Sequence, residues 1–379
     1  MDFNFTEEQL MLKKTIKKMV DEKIAPASVE NDASGTMAKE SVELLAKQGL
    51  MGITIPQTYG GQGLDYVTYN MVIEEISKGD VSTSTIMFTH TLGLAGILKF
   101  GNEEQRRKYL PGLAKGEKLA AFGLTEPESG SDIAQTRSTA VQDGDGFVIN
   151  GNKHFISNAG AAEIYTVYVS TDKAAGLKGL SCFIVEKGTP GFDFGRHENK
   201  MGIRGAIAGE LIFDNCRIPK ENLVGKLGDG YTIMVNAMFS SRPSVGAQGV
   251  GLAQSAFEKA VEHAKVRVQY GNPIIRHQLI QGMVADMYTE INAARLLVFD
   301  AARAIDEGKK DWMLKATMAK LFATEMSHKV VHKALQIHGG YGYMKDYSIE
   351  RYYRDQRILE LYEGTNELHR LFIAGQLSR

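Results

Sequence analysis

Thr139-Ala-Val-Gln-Asp143-Gly-Asp-Gly146-Phe-Val-Ile-Asn150-Gly-Asn-Lys153-His-Phe155-Ile-Ser157 is the stretch on which the fold turns. Short runs of β-branched and aromatic residues are broken twice by turn formers, Asp143-Gly-Asp-Gly146 and Asn150-Gly-Asn152. Asp-Gly and Asn-Gly between such runs are hairpin signals, because they tolerate the positive φ that a tight turn between twisted strands demands. Tyr165 to Ser170, Leu180 to Glu186 and Glu210 to Phe213 continue the β-rich texture. The runs are too closely spaced for helical crossovers. Residues 116–225 are therefore expected to form a β domain with its own core.

On either side the period changes. From Thr6 to about Leu113, helical patterns alternate with polar breaks at Ile24-Ala-Pro26, Tyr59-Gly-Gly-Gln-Gly63 and Lys78-Gly-Asp-Val81, which reads as an α-helical domain. Thr6 and Gln9 have capping-box spacing and Phe5 and Leu10 staple spacing, so the fold is expected to begin at once. From about Tyr231 onward long amphipathic patterns return at Ser244–Arg267, Gln278–Glu307 and Asp311–Ile337, followed by Asn366–Leu377, as in a helical bundle. The fold class is mostly α with a central β domain, divided at 1–115, 116–225 and 226–379.

Composition excludes several functions. Lys and Arg total 44 against 45 Asp and Glu, and no basic tract follows a nucleic-acid backbone. No run of about 18 apolar residues is evident for a bilayer span, so no membrane insertion is expected. Met1 to Leu10 lacks the basic and apolar regions of a signal peptide, and the cytoplasm is the expected location. Cys182 and Cys216 are far apart, without CxxC or Cys/His spacing, so neither a disulfide nor a thiolate metal site is expected.

Candidate motifs divide by how much they say alone. Gly60-Gly-Gln-Gly63 and Gly249-Val-Gly251 lack dinucleotide-fold spacing, and neither follows a predicted strand. His328 and His332 are four apart on a predicted helix but lack a third ligand, so no metal site is assigned. Leu124-Thr-Glu-Pro-Glu-Ser-Gly-Ser-Asp132 reads either as a surface turn or as a set of hydroxyls and backbone donors for a flavin. Gln336-Ile-His-Gly-Gly340 ends a helix in glycines, through helix stopping or backbone approach to a pyrophosphate. Tyr362-Glu363-Gly364-Thr365 sets a carboxylate at a helix entry, where capping by Thr365 or Asn366 is the plain reading.

Taken together, the Leu-Thr-Glu-Pro…Gly-Ser-Asp element, Lys200-Met-Gly-Ile203, Arg267…Tyr270-Gly271…Pro273, Gln336…Gly-Gly340 and Tyr362-Glu-Gly-Thr365 resemble the acyl-CoA dehydrogenase family along essentially the whole chain. The resemblance implies an N-terminal α domain, a middle β-barrel-like domain and a C-terminal four-helix bundle, assembled as a homotetramer of paired dimers. It implies FAD as cofactor, an acyl-CoA or enoyl-CoA thioester as substrate and electron-transferring flavoprotein as partner. Glu363 matches the base that exchanges the α-proton while flavin exchanges the β-hydride. Desolvation by bound thioester would raise its pKa.

By the same resemblance, Phe122, Leu124, Thr125, Phe155 and Ser157 match positions around the isoalloxazine ring, with Gly130 and Ser131 in the same loop. Ser131 also matches a contact to the CoA ester. Arg267, Gln269, Gln278, Gln336, Gly339 and Gly340 match positions that hold the rest of FAD across a subunit boundary, while Thr365 and Glu367 flank the base. Arg242 matches a buried arginine supporting the base, or equally a structural ion-pair member. Tyr362, Gly364, Met87 and Thr91 match substrate positions.

Ser240 and Ser241 stand near where some relatives carry their base, and neither is a carboxylate. Phe239 and Gly205-Ala-Ile-Ala208 depart from the usual pattern. The same residues serve oxidation of an acyl-CoA or, in reverse, an acryloyl- or aryl-propenoyl-CoA-type reductase linked to a bifurcating flavoprotein. An oxidase and a non-catalytic flavin- or acyl-CoA-binding assembly factor are further alternatives, the last opposed by retention of Glu363.

Overall fold

In the computed structural model, which describes residues 5–378, Thr6 caps helix α1 (Glu7–Met19) with the expected reciprocal box: Gln9 N–H donates to Thr6 Oγ1 at 3.2 Å and Thr6 N–H to Gln9 Oε1 at 3.0 Å. The first four residues of the expected start and of the 1–115 range lie outside the described residues. The staple takes a different form. Phe5 sets its ring edge-on against Phe299 at 5.0 Å, and Leu10 is half exposed.

Helices α2 (Ala25–Ser34), α3 (Lys39–Lys47), α4 (Tyr66–Gly79), α5 (Val81–Phe100) and α6 (Glu103–Ala114) follow. Asp80 starts α5 by accepting from Ser82 and Thr83 N–H at 3.1 and 2.9 Å. With mean hydropathy 1.3 over 18 residues, α5 is long and apolar enough to cross a membrane by length and composition, which corrects the sequence expectation. Its hydroxyl residues Ser82-Thr-Ser-Thr85, Thr89 and Thr91 hide that character. Of that window, 89% is buried inside the protein, so α5 acts as a core helix.

Strands β1 (Ala120–Gly123), β2 (Thr139–Asp143), β3 (Gly146–Ser157), β4 (Ile164–Ser170), β5 (Leu180–Glu186), β6 (Phe192–His197), β7 (Ala208–Pro219) and β8 (Leu223–Val224) form one sheet in the order β6-β7-β3-β2-β4-β5-β8, with β1 parallel to β4. The β2–β3 hairpin closes through Gly144 (φ 60°), with Asp143 opposite Gly146. β3 slips register twice against β7, between Ile149 and Gly151 and between Lys153 and Ile156. Such an irregularity re-aims side chains, and Phe155 inside the second has φ 57°.

The sheet does not keep a core of its own. Every residue of β4 is buried: Tyr165 packs against Phe192 at 5.0 Å on one face, and Thr166 Oγ1 donates to Gly93 of α5 at 2.9 Å on the other. One continuous cluster runs from Ile16 and Val72 through Val167 and Phe183 to Val250 and Val331. The expected separate core fails because β4 and β5, buried on both faces, need helices from outside as a second layer.

Helix α7 (Gly230–Val266) carries the C-terminal half. It begins 14 residues before the predicted Ser244, because the stretch Phe239–Ala253 is buried without a break and shows no amphipathic stripe, and because Pro243 resembles a stop. Proline lacks an N–H and strands a carbonyl in the preceding turn. Just before Pro243, Ser240 and Ser241 donate to the Ala237 and Met238 carbonyls at 3.0 and 2.8 Å, while the carbonyl that the proline cannot serve is that of Phe239. Gly251 lets α4 close on α7; a Cβ there would sit 2.2 Å from the Glu74 carbonyl. Strands β9 (Val268–Gln269) and β10 (Asn272–Pro273) form a small arm before α8 (Gln278–Asp306), α9 (Trp312–His338), α10 (Ile349–Gln356) and α11 (Asn366–Leu377).

Two contacts tie the layers together. Arg354 of α10 forks onto Asp32 of α2 at 2.6 and 2.9 Å and donates to the Met201 carbonyl at 3.1 Å. Lys99 of α5 lies 5.9 Å over the ring of Trp312 at the start of α9.

Candidate active site

Between Glu360 and α11 the chain turns sharply at Glu363 and Gly364, both left-handed at φ 58° and 89°. Glycine adopts that region freely; a glutamate there costs about 1 to 2 kcal/mol. The surroundings hold it. Tyr362 donates its hydroxyl to Gln248 Oε1 at 2.6 Å and packs against Phe88 at 6.0 Å. His369 Nε2 lies 3.2 Å from the Glu363 carbonyl. Lys320 Nζ donates to the Gly364 carbonyl at 2.9 Å and to Asn366 Oδ1 at 2.8 Å. Thr365 caps α11, with Leu368 N–H 3.4 Å from its Oγ1.

The Glu363 side chain points to α7, where Ser241 Oγ donates to its Oε2 at 2.8 Å. Burial pushes the carboxyl pKa up to about 7 against the opposing bond from Ser241 and the charges of Arg242 and Lys320. Burial brings Lys320 down to about 7, helped by Arg242, and Arg242 to about 10. Arg242 donates to Thr317 Oγ1 at 2.7 Å and lies 3.6 Å over the Phe239 ring. Phe239, one of the departures from the family pattern, is thus part of the arginine's seat. Beside Ser241 opens a cavity of about 10 Å³, walled by Phe88, Thr91, Tyr66, Tyr69 and neighbouring residues of α7. Met87, expected beside Thr91 at the substrate, is fully buried in the main core one helical turn before it.

A second group of expected residues gathers at the β domain's edge. Lys153, fully buried, donates to Glu126 Oε1 at 2.7 Å, to the Leu124 carbonyl at 3.1 Å and to the Tyr168 carbonyl at 2.5 Å. Glu126 also accepts from Arg137 and Ser138 N–H at 2.6 and 3.1 Å, and His154 N–H donates to the Thr125 carbonyl at 2.8 Å. Leu124, Thr125, Phe155 and Ser157 are thereby drawn together. The Phe155 ring is 62% exposed, Phe122 packs on Tyr168 at 4.8 Å, and Gly130 and Ser131 stand on an exposed turn.

The third group lies on the C-terminal half. Arg267 and Gln269 flank the β9–β10 arm, Gln278 begins α8, and Gln336, Gly339 and Gly340 end α9, all exposed. The Arg267 guanidinium sits 5.6 Å over the Tyr341 ring, joining arm to glycine turn. A Cβ on Gly339 or Gly340 would meet nothing within 4 Å, so the turn is open to an approaching ligand. An exposed aromatic ring on a bulged strand, open glycines and exposed guanidinium and amide groups fit a flavin dinucleotide. Glu367 is exposed in the first turn of α11.

Sequence reasoning missed Lys153, Lys320, Ser241 as a partner, and His369. Lys320 left a signal: it falls on the buried stripe of α9 with Ala316, Thr324 and Ser327, where a lysine needs a partner. A cluster of His154, Glu198 and Glu210, ligand atoms within 4.8 Å of one another, was not anticipated; His154 Nδ1 lies 3.1 Å from Glu210 and its ring 4.1 Å from that of Phe155.

Family models for the acyl-CoA dehydrogenase N-terminal, middle and C-terminal domains match residues 6–117, 121–216 and 228–378. An acyl-CoA dehydrogenase of Bacillus subtilis is 45% identical over 377 residues, 98% of each chain. An acryloyl-CoA reductase (NADH) of Anaerotignum propionicum is 43% identical, covering 100% of this chain and 96% of its own. Butyryl-CoA dehydrogenase from Megasphaera elsdenii superposes with TM-score 0.98 at 39% identity over 100% of both chains. A chain solved in work on the electron transferring flavoprotein of Acidaminococcus fermentans and flavin-based electron bifurcation has TM-score 0.98 and 43% identity, again over 100% of both.

Proposed function

The chain belongs to the acyl-CoA dehydrogenase family, whose members are FAD-binding oxidoreductases, and on that premise we propose that it interconverts an acyl-CoA and its 2-enoyl-CoA with Glu363 as the α-proton base. The observation that carries this reading is the Glu363 carboxyl group, desolvated to a pKa of about 7, bonded to Ser241 and set beside a cavity. A thioester α-proton is weakly acidic, so the base must be strong and close. Bound FAD supplies the hydride acceptor or donor.

The chain's own residues do the rest. Glu363 takes the α-proton, and the Glu363 N–H would support negative charge on the thioester oxygen. Ser241 orients the carboxylate; Arg242 and Lys320 supply positive charge behind it, and Lys320 and His369 hold the turn. Phe122, Leu124, Thr125, Gly130, Ser131, Phe155 and Ser157 would receive the flavin ring. Arg267, Gln269, Gln278, Gln336, Gly339 and Gly340 would hold the dinucleotide, with Thr365 and Glu367 beside the base. Tyr362, Gly364, Met87 and Thr91 frame the substrate. A homotetramer, an electron-transferring flavoprotein partner and a cytoplasmic site of action belong to the same proposal.

The reverse reaction is a second reading. A carboxyl with pKa about 7 holds a proton on a good share of molecules at neutral pH, as an α-proton donor to an enoyl-CoA requires. Similarity to an acryloyl-CoA reductase supports it. Anaerobic titration decides: bleaching by saturated acyl-CoAs marks the dehydrogenase, and reoxidation of dithionite-reduced protein by an enoyl-CoA marks the reductase. In Glu363→Gln, FAD and thioester binding should persist while turnover falls by about 10³-fold or more; near-normal turnover overturns the assignment.

A further inference from the structure

We propose that the cavity beside Glu363 receives an acyl group whose distal end carries a hydrogen-bonding oxygen, a hydroxyl or a carbonyl, rather than a plain hydrocarbon end. This rests on the proposed function and narrows its substrate class.

Tyr66, Tyr69, Thr91, Ser240 and Ser244, from α4, α5 and α7, all bring hydroxyls to the cavity lining. Thr91 and Ser240 use theirs on their own helices, donating to the Met87 and Ala237 carbonyls at 3.2 and 3.0 Å. Tyr69 and Ser244 differ. Tyr69 is 1% exposed and Ser244 fully buried, and neither hydroxyl has a partner at ordinary hydrogen-bond distance, that of Tyr69 coming only close enough to those of Thr91 and Ser244 for long, weak bonds.

Buried hydroxyls are nearly always bonded, because an unpaired one loses its hydration without return. Two such poorly partnered hydroxyls from two different helices, on one cavity wall, form a receptor for an oxygen atom. Apolar side chains of similar size would line a hydrocarbon pocket at less cost. The cavity also joins the reacting end: Ser241, which bonds Glu363, and Phe88, which packs on Tyr362, both line it. A chain whose α-carbon lies at Glu363 therefore extends toward these hydroxyls.

The test uses FAD-loaded protein under anaerobic conditions with matched thioester pairs: butyryl-CoA against 4-hydroxybutyryl-CoA in oxidation, and cinnamoyl-CoA against 4-hydroxycinnamoyl-CoA in reduction. In at least one pair the hydroxylated member should be favoured in kcat/KM by about tenfold or more, since a site made for a hydroxyl rejects the analogue lacking it. Tyr69→Phe and Ser244→Ala should shrink that ratio toward one. Equal or better turnover of the plain member in both pairs, or a ratio that neither variant moves, overturns the inference. If Glu363→Gln still abolishes turnover of the plain thioesters in that case, only the inference has failed. Turnover indifferent to Glu363→Gln would instead remove the functional reading beneath it.

Discussion

Ser241 has one proton and two acceptors within reach, the Met238 carbonyl and Glu363 Oε2, each at 2.8 Å. A hydroxyl is a single donor but can also accept. With Glu363 ionised, Ser241 donates to it; with Glu363 protonated, the hydroxyl turns to Met238 and accepts from the acid. The serine thus serves both charge states of the base. Oxidation requires the carboxylate and reduction the acid, so with a pKa of about 7 oxidative kcat should rise and reductive kcat fall as pH passes through that value. The Ser241 bond favours the ionised form, so Ser241→Ala should move both limbs upward by about one pH unit. A profile that stays in place would show that the serine serves only its own helix, through the Met238 carbonyl. Glu363 was legible in sequence only through its neighbouring motif, since alone it reads as an acid at a helix entry. Its supports were not, because Lys320 and His369 reach it from elements whose packing no local pattern announces.

Among elements, those with one wet face were the readable ones. α8 was expected at Gln278–Glu307 and ends at Asp306, because its polar face is exposed and its period clear. α7 lost its first 14 residues in the sequence reading because the long buried stretch Phe239–Ala253 erases period, and Ser240-Ser-Arg-Pro243 looks like a break. The β2–β3 hairpin was legible from Gly144, whereas the slip between Lys153 and Ile156 that turns Phe155 outward was not. The α2–α10 junction was equally invisible, resting on a pairing between residues 32 and 354. Arg354 is mostly covered, and its guanidinium bonds Asp32, Glu350 and the Met201 carbonyl. Arg354→Ala should cost about 2 to 3 kcal/mol, seen as a lower midpoint in urea with unchanged slope. A shift below about 0.5 kcal/mol would mean that apolar contacts alone hold the junction.

For the whole molecule, the α, β, α order could be read from period changes, but the sharing of one core among the layers could not, since it depends on which faces meet. The surface completes the account. Val266, Val268, Tyr270, Leu279 and Tyr343 are 50 to 93% exposed on or near the arm and the glycine turn, where the proposed FAD dinucleotide would lie. Subunits meeting there would complete the cofactor site. Sedimentation should accordingly give about four times the 41.7 kDa chain mass, and Leu279→Glu should lower both assembly and FAD retention together. Loss of one without the other would separate the interface from the cofactor site.

Trp312, the chain's single tryptophan, stands at the start of α9 under the ammonium group of Lys99 from α5. Its emission is therefore an intrinsic optical gauge of one seam between the two helical regions. Selective excitation of the indole reports when α5 and α9 part, with no dye attached, while tyrosines scattered through every layer report the rest. Coincident signals would identify a single cooperative unit, and a lag between them would time the opening of that seam.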